Sequence, residues 1–118
     1  MSDVTILFTL LFTKHFIVDF PLQNKFQWSN KGTYGHPGGL LHASLHGLTT
    51  MLCFWWYAPL ACIYLGLIDM FIHYHIDWIK QQLNRGYTTA DRQFWFWLGA
   101  DQAAHYLTYV GIIYVITS

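Results

Sequence analysis

Four apolar stretches alternate with polar connections along the chain. From Leu40 to Ala58 there are nineteen residues without Asp, Glu, Lys or Arg, the length a helix needs to cross roughly 30 Å of hydrocarbon. This stretch ends in Trp55-Trp56-Tyr57 and then Pro59. An interfacial aromatic cluster followed by a helix breaker predicts that the chain turns and goes back. The return runs from Leu60 to Ile79 or Lys80, and a later stretch from Phe94 to Ile116 carries a single acid, Asp101. The first stretch, Val4 to Phe20, is interrupted by Lys14, His15 and Asp19 but is long enough to count as a fourth. The pattern predicts one integral-membrane domain over 1–118, with spans at about 4–20, 40–58, 60–80 and 93–117.

The connections are polar. Pro21 to Gly39 is rich in Gly, Asn, Lys and aromatics and predicts an interfacial loop or short surface helix. In the second, Asn84 to Thr89, Thr89 or Asp91 is positioned to cap the last helix. All six cations, Lys14, Lys25, Lys31, Lys80, Arg85 and Arg92, fall in these connections or at the helix ends beside them. By the positive-inside rule the connections face the cytoplasm, and both termini and the Pro59 turn lie on the other side. The expected fold is all-α: an up-down-up-down four-helix transmembrane bundle, multi-pass in the inner (cytoplasmic) membrane. Met1-Ser2-Asp3-Val4 supplies neither the basic region nor the cleavage site of a signal peptide, so this start is expected to be mature structure.

Composition sharpens this picture. Apolar residues make up 54% and charged ones 10%, against the quarter charged that is usual in globular domains. Aromatics at 19% exclude disorder and collagen-like structure. A formal net charge of zero removes the basic footprint of a nucleic-acid partner. Cys53 and Cys62 provide neither a disulfide framework nor a zinc ribbon and read as small buried hydrophobes, although they bracket the turn at Tyr57-Ala58-Pro59 and could face each other.

The candidate chemistry lies in histidine and aspartate. Every acid is an aspartate, and four of them stand inside the apolar stretches, each four residues from a histidine: His15 to Asp19, Asp69 to His73 to Asp77, and Asp101 to His105. The second stretch carries His42 and His46 instead. Thirteen His and Asp residues placed at random would give about one or two such spacings, and this chain has five. Residues four apart share one helix face, so each stretch presents a polar stripe in a single direction. Charge facing hydrocarbon costs at least about 2.5 to 3.5 kcal/mol, which turns the stripes inward. Alternating helix directions place all of them in the cytoplasmic-facing half, where they can meet in one layer.

Four buried carboxylates without a buried Lys or Arg partner would repel one another, and divalent cations would cancel their charge. Imidazole and carboxylate together suit a transition metal, zinc first and iron or manganese after it. The expected ligands are His15, Asp19, His42, His46, His73, Asp77, Asp101 and His105, holding one or two ions. Asp69 lies one turn deeper than His73 and reads as an acceptor that orients a ligand imidazole. His75 points away from the stripe, and His36 sits in a connection. Lys31, Lys80 and Gln102 are the expected contacts for an anionic substrate group.

These residues resemble a family of small multi-span proteins of bacteria and phages defined as a domain of unknown function, and more loosely the membrane-bound metal-dependent hydrolases. The resemblance rests on His15-x-x-x-Asp19-Phe20 with Leu22-Gln23 and Lys25, Leu40-Leu41-His42-x-x-x-His46, His73-x-x-x-Asp77-x-x-Lys80, and Asp101-Gln102-x-x-His105. It implies a membrane-embedded hydrolase. The His-rich helices are also similar to those of zinc-dependent phospholipase C and its nuclease relatives. Those enzymes use an N-terminal Trp as a ligand where this chain has Met1, so a third metal is not expected.

The expected activity is metal-dependent hydrolysis of a lipid-like or phosphorylated substrate at the cytoplasmic leaflet, with Asp77 or Asp101 as the base and Lys80 at the substrate. A homo-oligomer is compatible with the sequence. Two other classes fit the same cluster. A haem or other redox protein would use paired axial histidines. A proton or metal transporter would use intramembrane Asp and His, but its polar groups should continue through Val4 to Leu11 and Gly111 to Ile116, which offer almost none.

Overall fold

The computed structural model describes all 118 residues and is all-helical. Five helices follow one another: α1 (Asp3–Asp19), α2 (Lys25–Trp28), α3 (Pro37–Phe54), α4 (Cys62–Leu83) and α5 (Arg92–Thr117). The four long helices close a ring in which α1 packs on α3 and α5, and α4 packs on α3 and α5, while the one-turn α2 rests on α3.

Local chemistry sets the helix ends. The Ser2 side chain accepts the Thr5 N–H, and Asp3 sits in the first turn of α1, where negative charge suits the helix dipole. Helix α3 opens with Pro37 at its first turn, and the His36 ring accepts the Gly38 N–H as its cap. It stops after Phe54, whose carbonyl accepts from Tyr57 and Ala58 as the chain turns toward Pro59. Asp91 is the residue before α5, but its carboxylate accepts the Thr88 N–H and caps no helix amide.

No helix is long and apolar enough to cross a membrane. That finding overturns the transmembrane bundle, the multi-pass inner-membrane placement, the site at a cytoplasmic leaflet and the termini assigned to the far side. The physical reason lies in what a count of Asp, Glu, Lys and Arg leaves out. Helix α1 has 17 residues and α3 has 18, at the lower limit of what a span requires, so their composition decides. Helix α3 has no formal charge, yet it is diluted by two His, three Gly, one Ser and two Thr. Helices α4 and α5 have the length but carry Asp69, His73, His75 and Asp77, or Asp101, Gln102 and His105. Two of the six cations do not face a surface at all, because Lys14 and Lys31 are buried as ion-pair partners of Asp69 and Asp77.

The interior has two unlike ends. At one, Leu7, Leu11, Cys53, Phe54, Cys62, Leu65, Tyr109, Ile112 and Ile113 form a continuous apolar cluster. It draws on the start of α1, the end of α3, the start of α4 and the end of α5, as helices of alternating direction require. Cys53 and Cys62 are both free and buried there, and burial raises the Cys53 thiol to about 11. At the other end the buried side chains are Lys, His, Gln and Asp, so that twelve polar or charged residues are buried beside twelve apolar ones. Outside, large apolar side chains such as Leu52, Leu60, Phe71, Leu107 and Val115 are exposed.

Helices α3 and α4 approach most closely at two glycines. A Cβ on Gly47 would sit 2.8 Å from the Gly66 carbonyl oxygen, and one on Gly66 would sit 2.5 Å from the Gly47 oxygen. Only glycine permits this contact. It stands one residue from His46 and three from Asp69, beside the polar end.

Candidate metal centre

Four helices each deliver one pair of polar side chains to the same layer: His15 and Asp19 from α1, His42 and His46 from α3, His73 and Asp77 from α4, and Asp101 and His105 from α5. Two sets bring one ligand atom per residue within 4.8 Å of one another: Asp19, His42, His46 and His73, and then His73, Asp77 and His105. His73 belongs to both. The structure thus contains His/Asp groups able to hold a metal ion, with six of the eight expected ligands among them. His15 and Asp101 stand beside these sets rather than in them.

The distances describe a compact cluster. His42 Nε2 lies 3.1 Å from Asp19 Oδ1 and 3.6 Å from Asp77 Oδ2. His73 Nε2 is 3.3 Å from Asp77 Oδ2, and His105 Nε2 is 3.1 Å from Asp77 Oδ1. His46 Nε2 is 2.8 Å from Asp19 Oδ1. A tetrahedral zinc with bonds of 2.0 to 2.1 Å has ligand-to-ligand edges of about 3.3 Å, the middle of this range. His42 Nε2 and both ring nitrogens of His73 are buried and without a hydrogen-bond partner despite their proximity to the carboxylates. Buried polar atoms are ordinarily paired, so orphaned ones facing carboxylate oxygens mark a place where an ion fits.

An outer layer fixes these rings. Gln27 on α2 donates its amide N–H to the Leu22 carbonyl, which leaves its Oε1 3.0 Å from His42 Nδ1. His42 therefore carries its proton on Nδ1, and its Nε2 lone pair faces the carboxylates. His15 is fully occupied: Nδ1 lies 2.7 Å from the Tyr109 hydroxyl, and Nε2 is 3.0 Å from Asp19 Oδ2 and 3.2 Å from Gln102 Oε1. Gln102 donates in turn to Asp101 Oδ2, while Asp101 Oδ1 is buried and accepts no close hydrogen bond, its nearest cationic neighbour being His105 Nε2 at 3.4 Å.

Charge is balanced differently from the sequence expectation. Lys14 Nζ forms a buried ion pair with Asp69 at 2.9 Å, and Thr50 donates to the same carboxylate oxygen. Lys31 Nζ lies 3.5 Å from Asp77 Oδ2 and is also buried. The carboxylates are thus not without buried cationic partners, and Asp69 holds Lys14 rather than an imidazole. Lys31 is committed to Asp77. Lys80 is half-buried in a groove of about 210 Å³ between α4 and α5 that Asp101 also lines. A second groove of about 490 Å³ between α1 and α5 has His15 and Gln102 among its lining residues.

The environment separates the ionisable groups. Burial pushes the Asp19 carboxyl up, but hydrogen bonds from His15, His42 and His46 override it and hold it far below the usual range. Asp77 is likewise depressed against its burial by His73, Lys31 and His105. Burial lowers His46 well below the ordinary value, with His73 and Lys14 adding to it. Burial also takes His73 to about 4, only partly opposed by Asp77. His105 goes the other way: burial lowers it, yet Asp101 and Asp77 together raise it to about 9. Burial lowers the Lys14 ammonium and Asp69 works against this, while burial raises the Tyr109 phenol.

Several of these residues could have been read from spacing. Thr50 continues the stripe of His42 and His46 by four residues, and Tyr109 continues Asp101 and His105 in the same way. Lys14 precedes His15 by one position and Asp69 lies one turn deeper than His73, a match in depth that announces the ion pair. Gln27 gave no signal, since nothing in a polar connection says which side chain will fold back onto a helix. His36 caps α3, and His75 bonds to the Phe71 carbonyl and the Tyr34 hydroxyl, away from the cluster.

Fold and site together define a small all-helical bundle protein with a buried His/Asp centre. The chain belongs to DUF3307, a family of proteins of unknown function whose model matches residues 7–118. That match carries no activity, and no likeness to hydrolases comes with it. No curated protein and no solved structure matches the chain.

Proposed function

We propose that the cluster binds one divalent transition metal, zinc first, and that the protein is a metal-dependent hydrolase. The observation that carries this reading is the set of orphaned nitrogens on His42 and His73 facing Asp19 and Asp77 at separations suited to a common ion. Charge supports a single ion. Asp19, Asp69, Asp77 and Asp101 bring four negative charges, and Lys14 and Lys31 return two, so one divalent cation neutralises the remainder. Because His105 holds its proton to about 9 without a metal, loading the ion should release that proton.

An ion there would supply Lewis-acid activation of water and polarise an ester or phosphoester. Asp101 is the base this reading favours, since Asp77 is engaged by His73, His105 and Lys31 whereas Asp101 is approached only by His105, 3.4 Å from its Oδ1, and by Gln102 at Oδ2. Lys80 shares the groove with Asp101 and is the contact for an anionic substrate group, and Gln102, which lines the groove between α1 and α5, donates to Asp101. A haem reading fits less well: the His46 and His73 rings stack at 3.6 Å and the His73 and His105 rings at 4.0 Å, which leaves no slot between them for a macrocycle.

Elemental analysis of purified, dialysed protein tests the centre, with about one zinc per chain expected and loss of it in His42→Ala. Retention of no transition metal, together with no uptake in a zinc titration, overturns the reading. The activity is tested with p-nitrophenyl esters and phosphoesters as probes, where Asp101→Asn should keep the metal and lose turnover.

A further inference from the structure

Both ring nitrogens of His46 are engaged, which distinguishes it from His42 and His73. Lys14 Nζ has three neighbours able to accept its protons: Asp69 Oδ2 at 2.9 Å, His46 Nδ1 at 3.1 Å and the His46 carbonyl at 3.3 Å. An ammonium has three N–H groups, so the set is complete. A proton on His46 Nδ1 would oppose the ammonium N–H, and the neutral ring must carry its single proton on Nε2, 2.8 Å from Asp19 Oδ1. That nitrogen then has no lone pair to offer.

From this geometry we infer that Lys14 locks His46 in the Nε2–H tautomer, making it a hydrogen-bond donor that orients Asp19 rather than a metal ligand. Lys14 is a positioning residue, and Asp69 and Thr50 hold it in place. The arrangement has a counterpart on the other side of Asp19. His15 Nδ1 meets the Tyr109 hydroxyl and Nε2 faces Asp19 Oδ2, so two imidazoles grip one carboxylate from both oxygens. His42 has the opposite proton placement, set by Gln27. Two histidines of one helix, one turn apart, are thus assigned different roles by what touches their Nδ1 atoms. The ligand role follows from the proposed metal site, but the tautomer does not depend on it.

Long-range proton–nitrogen correlation NMR on nitrogen-15 histidine-labelled protein reads the tautomer directly. In the metal-free chain at neutral pH, His46 should show the proton on Nε2 and His42 on Nδ1. After addition of zinc, the His42 Nε2 resonance should shift and His46 should keep its Nε2 proton. In Lys14→Met the metal-free ring should keep its Nε2 proton against Asp19, but with Nδ1 no longer facing an ammonium it should give that proton up when zinc is added, which the wild type does not; an unchanged Nε2–H in the zinc-loaded variant removes Lys14 from the lock. His46→Gln, which keeps a donor, should weaken zinc binding by no more than the roughly 10- to 100-fold of a residue that orients a ligand, whereas loss of a true ligand in His42→Gln should exceed about 100-fold. An Nδ1–H tautomer for His46 in the metal-free wild type, or loss of its Nε2 proton on zinc binding, overturns the inference. If zinc does not bind at all, the metal reading falls, and the tautomer is still decided by the metal-free spectrum.

Discussion

The two ends of this bundle are built on the same four helices and the same spacing of four, yet they hold together by different physics. At the apolar end, Leu7, Leu11, Phe54 and Ile112 pack without directional demands, each full burial worth roughly 1.5 to 3 kcal/mol. At the polar end a buried atom demands a partner of the right kind, and the contacts that are made are specific: Gln27 with His42, Tyr109 with His15, Lys14 with Asp69. The apolar end can be made from many sequences. The polar end cannot, which is why it is the place to look for function.

That contrast can be broken most sharply at Lys14. Lys14→Met strands the buried Asp69 carboxylate and should cost about 3 to 5 kcal/mol in chemical denaturation. The double variant Lys14→Met, Asp69→Leu removes both charges and should recover most of that loss. At the apolar end Leu11→Ala should cost about 2 to 5 kcal/mol through the cavity it leaves, and no second deletion should restore it. If the polar double variant is no better than the single one, the ion pair is not the unit described here.

Overpacking the glycine crossing comes next in size. Gly66→Ala places a methyl against the Gly47 carbonyl and Met51 and should destabilise the chain by about 1 to 3 kcal/mol. It should also lower metal retention, because Asp69 and His46 adjoin the crossing. A thermal melt paired with elemental analysis separates the two effects.

The smallest effect is in pH. With His105 raised to about 9 in the folded chain, from an ordinary value near 6.5, its stabilisation is fully present below about 6.5 and is lost as pH climbs through 9. His73, held at about 4, works in the acid direction: the unfolded ring takes up a proton first, so stability falls as pH drops from about 6.5 toward 4. The metal-free chain should therefore lose melting temperature between pH 7 and 9, and His105→Gln should flatten that slope. Zinc should reverse it, since ligand binding improves as protons leave.

The site was more legible than its setting. Five His/Asp pairs at a spacing of four pointed to one inward layer, and the structure brings those side chains together because spacing on a helix fixes direction. The membrane reading failed on a different ground. Absence of formal charge in Leu40 to Ala58 is not apolarity, because His42, His46, Thr49 and Thr50 bring hydrogen-bonding groups that must be satisfied somewhere. Position along the chain also does not fix which surface a cation faces, because Lys14 and Lys31 turn inward to carboxylates. Gln27 was beyond reach, being placed by the one turn of α2 against α3 and not by any periodicity.

The Gly47 and Gly66 contact has a consequence for alignment. With each backbone oxygen seated where the other residue's side chain would be, neither helix can slide along its neighbour without driving Met51 or Met70 into main chain. The crossing serves as an index pin. His46 and Asp69 inherit their height from it, so the imidazole and the carboxylate that flank Lys14 are set by rigid backbone before any side chain has chosen a rotamer.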